Sequence, residues 1–113
     1  ATDTNANIAS GAEIQVLSMT LTPPAGTYYV YFEAPMGDVS GTRVYLWICV
    51  NGVQQPNSYK VYRLTAAGRF SISTGCFVTV NGADVIDVEW NNNNSGTNVS
   101  FYQRRLCAIR IGG

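Results

Sequence analysis

The sequence predicts an all-β chain, folded as a two-sheet antiparallel sandwich of about eight to ten short strands. Three observations predict it. Apolar residues alternate or run together in short β-branched and aromatic blocks, and no window carries a helical period. Gly, Pro and Asn punctuate those blocks roughly every ten residues, the spacing of a sandwich or barrel. A length of 113 residues suits one such core and not two, so 1–113 is expected to be a single domain.

The elements follow in order. Residues 1–12, rich in Thr, Asn and Ala, are expected to be an arm or lead-in. Ile14 to Leu21 is the first strand; its apolar positions change parity near Val16 and Leu17, which predicts a bulge. Pro23 to Gly26 turns the chain into Thr27 to Glu33, where Tyr28, Val30 and Phe32 share one face and Tyr29 and Tyr31 the other. Pro35 to Gly41 is turn-rich. Arg43 to Val50 is apolar on both faces and ends at Asn51-Gly52, a hairpin signal because both residues tolerate positive φ.

Tyr59 to Leu64 and the long Arg69 to Val80 come next, with a bulge expected at Gly75. Asn81-Gly82 is expected to be a second hairpin turn, returning into Asp84 to Trp90 with Ile86, Val88 and Trp90 inward. Asn91 to Asn98 has loop composition. Val99 to Ile111 completes the sheet, broken near Gln103 and Arg104. Trp47, Trp90, Phe70, Phe77 and Phe101 occupy strand positions and are expected in the core.

Charge is sparse: 12% of residues, where an average soluble domain has about 25%. Seven basic and seven acidic side chains cancel. Nucleic acid and anionic membrane surfaces are engaged through clustered Lys and Arg, so neither is an expected partner. So little charge favours burial of part of the surface against other copies. No stretch reaches the ~20 apolar residues of a membrane helix, and residues 1–13 lack the charged and apolar regions of a signal peptide. A start at Ala1 suits both a small protein that has lost its initiator Met and a domain cut from a longer chain. Cys49, Cys76 and Cys107 sit in apolar runs, which predicts three buried thiols; one disulfide plus a free thiol is the alternative in a secreted protein.

Three blocks, in order, resemble the globular heads of the complement and tumour-necrosis-factor superfamily. They are Pro24 to Phe32 (Pro-Ala-Gly-Thr-Tyr-Tyr-Val-Tyr-Phe), Val44 to Gly52, and Gly68 to Trp90 with its Gly82 and Asp84 turn. Leu106 to Ile111 is similar to the closing strand of that family's inner sheet. The likeness spans about 85 residues and rests on the order and spacing of blocks that are individually generic. The short front and Ala83 depart from the animal members and match better the compact relatives in bacteriophage fibres, spikes and decoration proteins, and in bacterial collagen-like surface proteins.

The resemblance implies a jelly-roll sandwich that is a non-enzymatic homotrimer on a virion surface, with capsid or fibre proteins as partners. A carbohydrate-binding head at a bacterial or extracellular surface, taking a cell-surface glycan, is the alternative. It further implies an inner sheet of Ile14–Leu21, Thr27–Glu33, Asp84–Trp90 and Arg105–Ile111. With Tyr28, Val30, Phe32, Ile86, Val88, Cys107 and Ile109 inward, the two-residue period sends Tyr29, Tyr31, Asp87, Glu89, Leu106, Ala108 and Arg110 toward neighbouring subunits. Arg110 or Arg105 would then pair with Asp87 or Glu89 across the interface between subunits.

Catalytic chemistry is hard to assemble from these residues. The absence of His removes Ser-His-Asp and Cys-His catalysis and the usual zinc ligand sets. The cysteines are too far apart for a Cys-x-x-Cys motif, and no Gly-rich phosphate loop leads a helix. Asp84, Asp87 and Glu89 form a carboxylate cluster with no sugar cleft beside it, better suited to an interface. No metal, cofactor or enzymatic activity is therefore expected. Candidate ligand or partner loops are Tyr59, Tyr62 and Arg63, after a Pro-containing loop, and Asn92, Asn93 and Asn94 in the Asn-rich segment.

Overall fold

The computed structural model describes residues 5–9, 14–37, 42–64, 69–92 and 98–112. They form ten strands: β1 (Asn5–Ala9), β2 (Ile14–Leu21), β3 (Gly26–Gly37), β4 (Thr42–Val50), β5 (Val53–Gln54), β6 (Lys60–Leu64), β7 (Arg69–Val80), β8 (Ile86–Asn92), β9 (Asn98–Tyr102) and β10 (Arg105–Gly112). One antiparallel sheet joins β1, β9, β3, β10 and β7; the other joins β2, β8, β4, β5 and β6. The chain repeatedly crosses from one sheet to the other, and the result is a jelly roll.

Side-chain alternation explains the packing. Along β7, Ile72, Thr74, Cys76, Val78 and Val80 are buried, while Ser71, Ser73, Phe77 and Thr79 face outward. On β8, Ile86, Val88 and Trp90 are fully buried between the sheets. They meet Val30 and Phe32 of β3, Val44, Leu46 and Ile48 of β4, Val16 and Met19 of β2, and Leu106 of β10 in one core. The β2 bulge lies where the parity change predicts it: the β2–β8 register shifts between Gln15 and Thr20.

Several expectations are corrected. Part of the lead-in, Asn5–Ala9, is a strand that pairs with β9. β3 runs on past Pro35 to Gly37, because β7 and β9 supply partners there. The Asn-rich segment is strand as far as Asn92, and Asn92 is buried. Gly75 makes no bulge, since β3 and β7 stay in continuous register from Gly26↔Val80 to Gly37↔Arg69. Its missing side chain serves another purpose: a Cβ there would run into the Tyr29 ring, which lies across it.

Residues 81–85 do not make a hairpin either. They carry the chain from one sheet to the other. Asn81 Oδ1 accepts from the N–H groups of Ala83 and Asp84, at 2.8 and 3.0 Å, closing a local turn. The Asn51-Gly52 turn is the expected two-residue hairpin, with φ of 51° and 79°. Its Asn51 amide donates to Asp84 Oδ1 at 2.7 Å, and its Oδ1 accepts from the Val85 N–H at 2.9 Å, so the two turns are laced together.

The sheets are also tied along one edge. Thr74 Oγ1 donates to the Ser58 carbonyl, and Ser58 Oγ accepts from the Ile48 N–H at 3.0 Å. Tyr62 on β6 reaches across to the edge of β7 that is unpaired among the described residues, where its hydroxyl donates to the Ser73 carbonyl (2.6 Å) and accepts from the Ser73 N–H (2.9 Å). One side chain thus satisfies both backbone groups of an edge residue. Tyr62→Phe is expected to cost about 1 kcal/mol, a fall of roughly 4 °C in Tm, read by thermal unfolding.

Candidate assembly face

The outward face of the β7–β3–β10 sheet is built in rows by the strand registers. Phe77, Tyr29 and Ile109 stand side by side across three strands, and Gly75, Tyr31 and Cys107 form the next row. Ser73, Glu33 and Arg105 form the third. The first row is apolar and open: Phe77 is 67% exposed, Ile109 53% and Tyr29 36%. Aromatic contacts hold its shape, with Tyr29 5.0 Å from Phe77 and stacked 6.3 Å from Tyr31. The small slot at Gly75 lets Tyr29 lie flat between them.

A polar cluster borders these rows. Arg105 Nε donates to Cys107 Sγ at 3.2 Å, the Arg105 guanidinium lies 5.9 Å from the Tyr31 ring centre, and it approaches Glu33 at 3.7 Å. The ion pair is about half exposed and adds little stability. Partial burial alone would raise the Cys107 thiol, but hydrogen bonds from Tyr31 and Arg105, together with the Arg105 charge, hold it below its ordinary value. Tyr31 moves the opposite way, chiefly because its hydroxyl is engaged with Cys107.

This face keeps Tyr29 and Tyr31 and revises the rest of the expected set. Leu106 is fully buried opposite Phe32, and Ala108 packs against the core, so β10 has the reverse phase: Cys107 and Ile109 face outward. The larger hydrocarbon of Leu106 takes the interior position in place of the Cys107 thiol. Arg110 turns onto the Pro23–Gly26 turn instead, where Nη2 donates to the Ala25 carbonyl at 3.0 Å. Asp87 and Glu89 do face away from the core, but β8 belongs to the opposite sheet, as does β2. Within one chain neither carboxylate shares a sheet with Arg105 or Arg110. Phe77 is surface rather than core, because Ile72, Cys76, Val78 and Val80 set the inward phase of β7.

The opposite sheet carries its own aromatic group on its outer face. Tyr59, 46% exposed, stacks on Trp47 at 5.8 Å and lies 6.2 Å from Tyr45; Trp47 beneath is only 4% exposed. Tyr59 and Tyr62 therefore point to different places, the first over this face and the second to the β7 edge. Arg63 is exposed, opposite Arg43. Lys60 and Tyr62 line an open groove with Tyr29, Tyr31, Glu33 and Ser73. Asn92 is core; Asn93 and Asn94 lie outside the described residues, and the side chains of Phe70 and Phe101 are outside them too. Sequence reasoning missed Phe77, Cys107 and Ile109; the apolar outward parity of Phe77 on β7 was the available signal.

The architecture is that of the tumour-necrosis-factor and complement globular-head jelly rolls. No protein-family model and no curated protein matches the sequence. Among solved structures, the chain is similar to the EclA C-terminal domain, described as a sugar-binding protein. The TM-score is 0.60 at 14% identity, over 93% of this chain and 79% of that one. It is similar to a chain of infectious bursal disease virus, Gx strain, with a TM-score of 0.67 at 13% identity, covering 97% of this chain and 32% of the viral one. It thus spans about a third of that viral protein. The globular domain of zebrafish complement 1qA protein gives a TM-score of 0.54 at 13% identity, covering 91% of this chain and 96% of that one. At these identities the likeness defines the fold.

Proposed function

We propose that the chain is a non-enzymatic structural or binding module whose β7–β3–β10 face docks on two further copies around a threefold axis. The carrying observation is the row Phe77–Tyr29–Ile109, open to solvent across three adjacent strands. Contiguous apolar surface of this kind marks an interaction site. Tyrosine and phenylalanine, with arginine at the border, are the residue types enriched in such interfaces. A closed threefold suits a rigid sheet that offers the same patch three times. The sparse charge of the whole chain points the same way. Within that reading, the trimer caps or decorates a larger assembly, a virion surface above all, with capsid or fibre proteins beneath it. The viral and complement-head folds noted above support the setting by architecture alone. Sedimentation equilibrium at micromolar concentration is expected to return three times the chain mass; a single-chain mass overturns the trimer.

The thiols provide a footprint. Burial pushes Cys49 up to about 12, with Glu89 and Asp87 adding to it, and burial raises Cys76 as well. Cys107 alone is lowered and partly exposed. In the unassembled chain, iodoacetamide at neutral pH is expected to label Cys107 well ahead of the other two, read by peptide mass spectrometry. In the trimer Cys107 is expected to be protected. Equal labelling of all three thiols in the monomer contradicts the arrangement.

A second reading, a carbohydrate-binding head, is favoured by Tyr59, a half-exposed ring on a buried Trp47, the kind of platform on which a sugar face stacks. The sugar-binding protein among the similar folds gives it a precedent in architecture. Glycan-array binding that Tyr59→Ala abolishes would support it; an array without binding removes it.

A further inference from the structure

On the outer face of the other sheet, the β4–β8 register sets Cys49 opposite Asp87 and Trp47 opposite Glu89. The two-residue period points Cys49, Asp87 and Glu89 to the same side, and one donor atom from each lies within 4.8 Å of the others. This is not an ordinary solvated acidic patch. Cys49 is 1% exposed. Asp87 Oδ1 is sealed from solvent and has no hydrogen-bond partner among the described residues, a costly state for a carboxylate oxygen. Hydrogen bonding to Glu89 favours the protonated Cys49 thiol more than Trp47 favours the thiolate, so the empty cluster holds a thiol.

We propose that Cys49, Asp87 and Glu89 bind a thiophilic divalent cation of the zinc type. A thiolate selects against calcium and magnesium, which prefer all-oxygen shells of six or more ligands. Zinc accepts sulfur at about 2.3 Å and carboxylate oxygen at about 2.0–2.2 Å. Tetrahedral placement at those lengths puts donors roughly 3.3–3.8 Å apart, so side-chain rotations of about an ångström draw the three atoms together. Water would take the fourth position. Binding converts the Cys49 thiol to thiolate and releases its proton to solvent. The charges that shift these groups are negative: Cys49 is raised by burial, then by Glu89 and Asp87, and Asp87 is raised to about 6 by burial and then by Glu89. A cation resolves that repulsion and gives Asp87 Oδ1 its missing partner. The site lies on the sheet opposite the assembly face, so it stands or falls independently of the trimer.

The test uses the whole chain, stripped with chelator, held reduced, and titrated with Co2+ and then Zn2+. One Co2+ per chain is expected to produce the near-ultraviolet sulfur-to-cobalt charge-transfer absorption of a thiolate ligand, and Zn2+ to abolish it by displacement. Cys49→Ser is expected to remove the band and Cys107→Ser to keep it. Because Cys49 is buried and its variant risks misfolding, Asp87→Asn and Glu89→Gln serve as isosteric partners, each expected to weaken Zn2+ binding at least tenfold by equilibrium dialysis. No thiolate band in the folded chain, a band that survives Cys49→Ser, or unchanged affinity in both carboxamide variants overturns the proposal.

Discussion

Phe77→Asp is expected to convert the assembled protein to single chains at micromolar concentration without unfolding them. Phe77 is 67% exposed and stands outside the core, so its loss removes little that the isolated chain depends on. In a trimer the same ring would be buried against a neighbour, beside Tyr29 at 5.0 Å. Lost burial alone is worth about 2 kcal/mol per subunit. Over three subunits that is about 6 kcal/mol, or four orders of magnitude in the association constant, before the cost of desolvating three carboxylates is added. Val53→Asp is the matched control: Val53 is 64% exposed but lies on β5, in the opposite sheet, and its variant is expected to stay assembled. Sedimentation velocity separates the cases, and circular dichroism checks that both variants keep their strands. A Phe77→Asp protein that sediments like the parent places the interface elsewhere.

Residue order made the strands legible wherever polar and apolar positions alternate. Arg69–Val80 is a strand over the whole predicted span, and Ile86, Val88 and Trp90 point inward as their spacing requires. The two-residue beat reports which face of a strand is covered. It does not report which sheet the strand joins, because pairing is a contact between segments distant in sequence. That is why Asp87 and Glu89 were expected beside Tyr29 and Tyr31 and stand instead on the other side of the sandwich. It is also why Asn81-Gly82, which carries the composition of a hairpin turn, proves to be a crossing between sheets. Phase fails for a different reason at Leu106-Cys107-Ala108-Ile109: four consecutive apolar residues fit either parity, and only the pairing of Leu106 with Phe32 resolves it. Gly75 offered only the generic signal of a bulge, which the continuous β3–β7 register overrules. Its function is the space it leaves for Tyr29, a property of the neighbouring strand. The Cys49–Asp87–Glu89 cluster was likewise hidden, since it depends on how β4 and β8 align.

Trp90→Ala is expected to be the most damaging single substitution to the isolated chain. Trp90 is fully buried on an interior strand of its sheet, with β2 and β4 on either side and Ile14 and Leu46 as its register partners. Its ring fills the space between the sheets, where Phe32, Val30 and Leu106 arrive from the other side. Neighbours locked in two hydrogen-bonded sheets have little freedom to collapse into the void, so the cavity penalty adds to the lost transfer energy, about 3–5 kcal/mol in all. A domain of this size holds about 5–15 kcal/mol in total, so the variant loses a large fraction of its margin and roughly 12–20 °C in Tm. Assembly modifies the outcome. Because only folded chains associate, trimer formation draws the folding equilibrium forward by mass action, and the apparent Tm of Trp90→Ala should rise with protein concentration. Combining Trp90→Ala with Phe77→Asp removes that support, so the double variant should unfold at a temperature independent of concentration. A Trp90→Ala protein that loses less than about 1 kcal/mol by urea unfolding would mean that the sandwich core is centred elsewhere. A concentration-dependent Tm that persists in the double variant would mean that folding is coupled to a surface other than the Phe77 row.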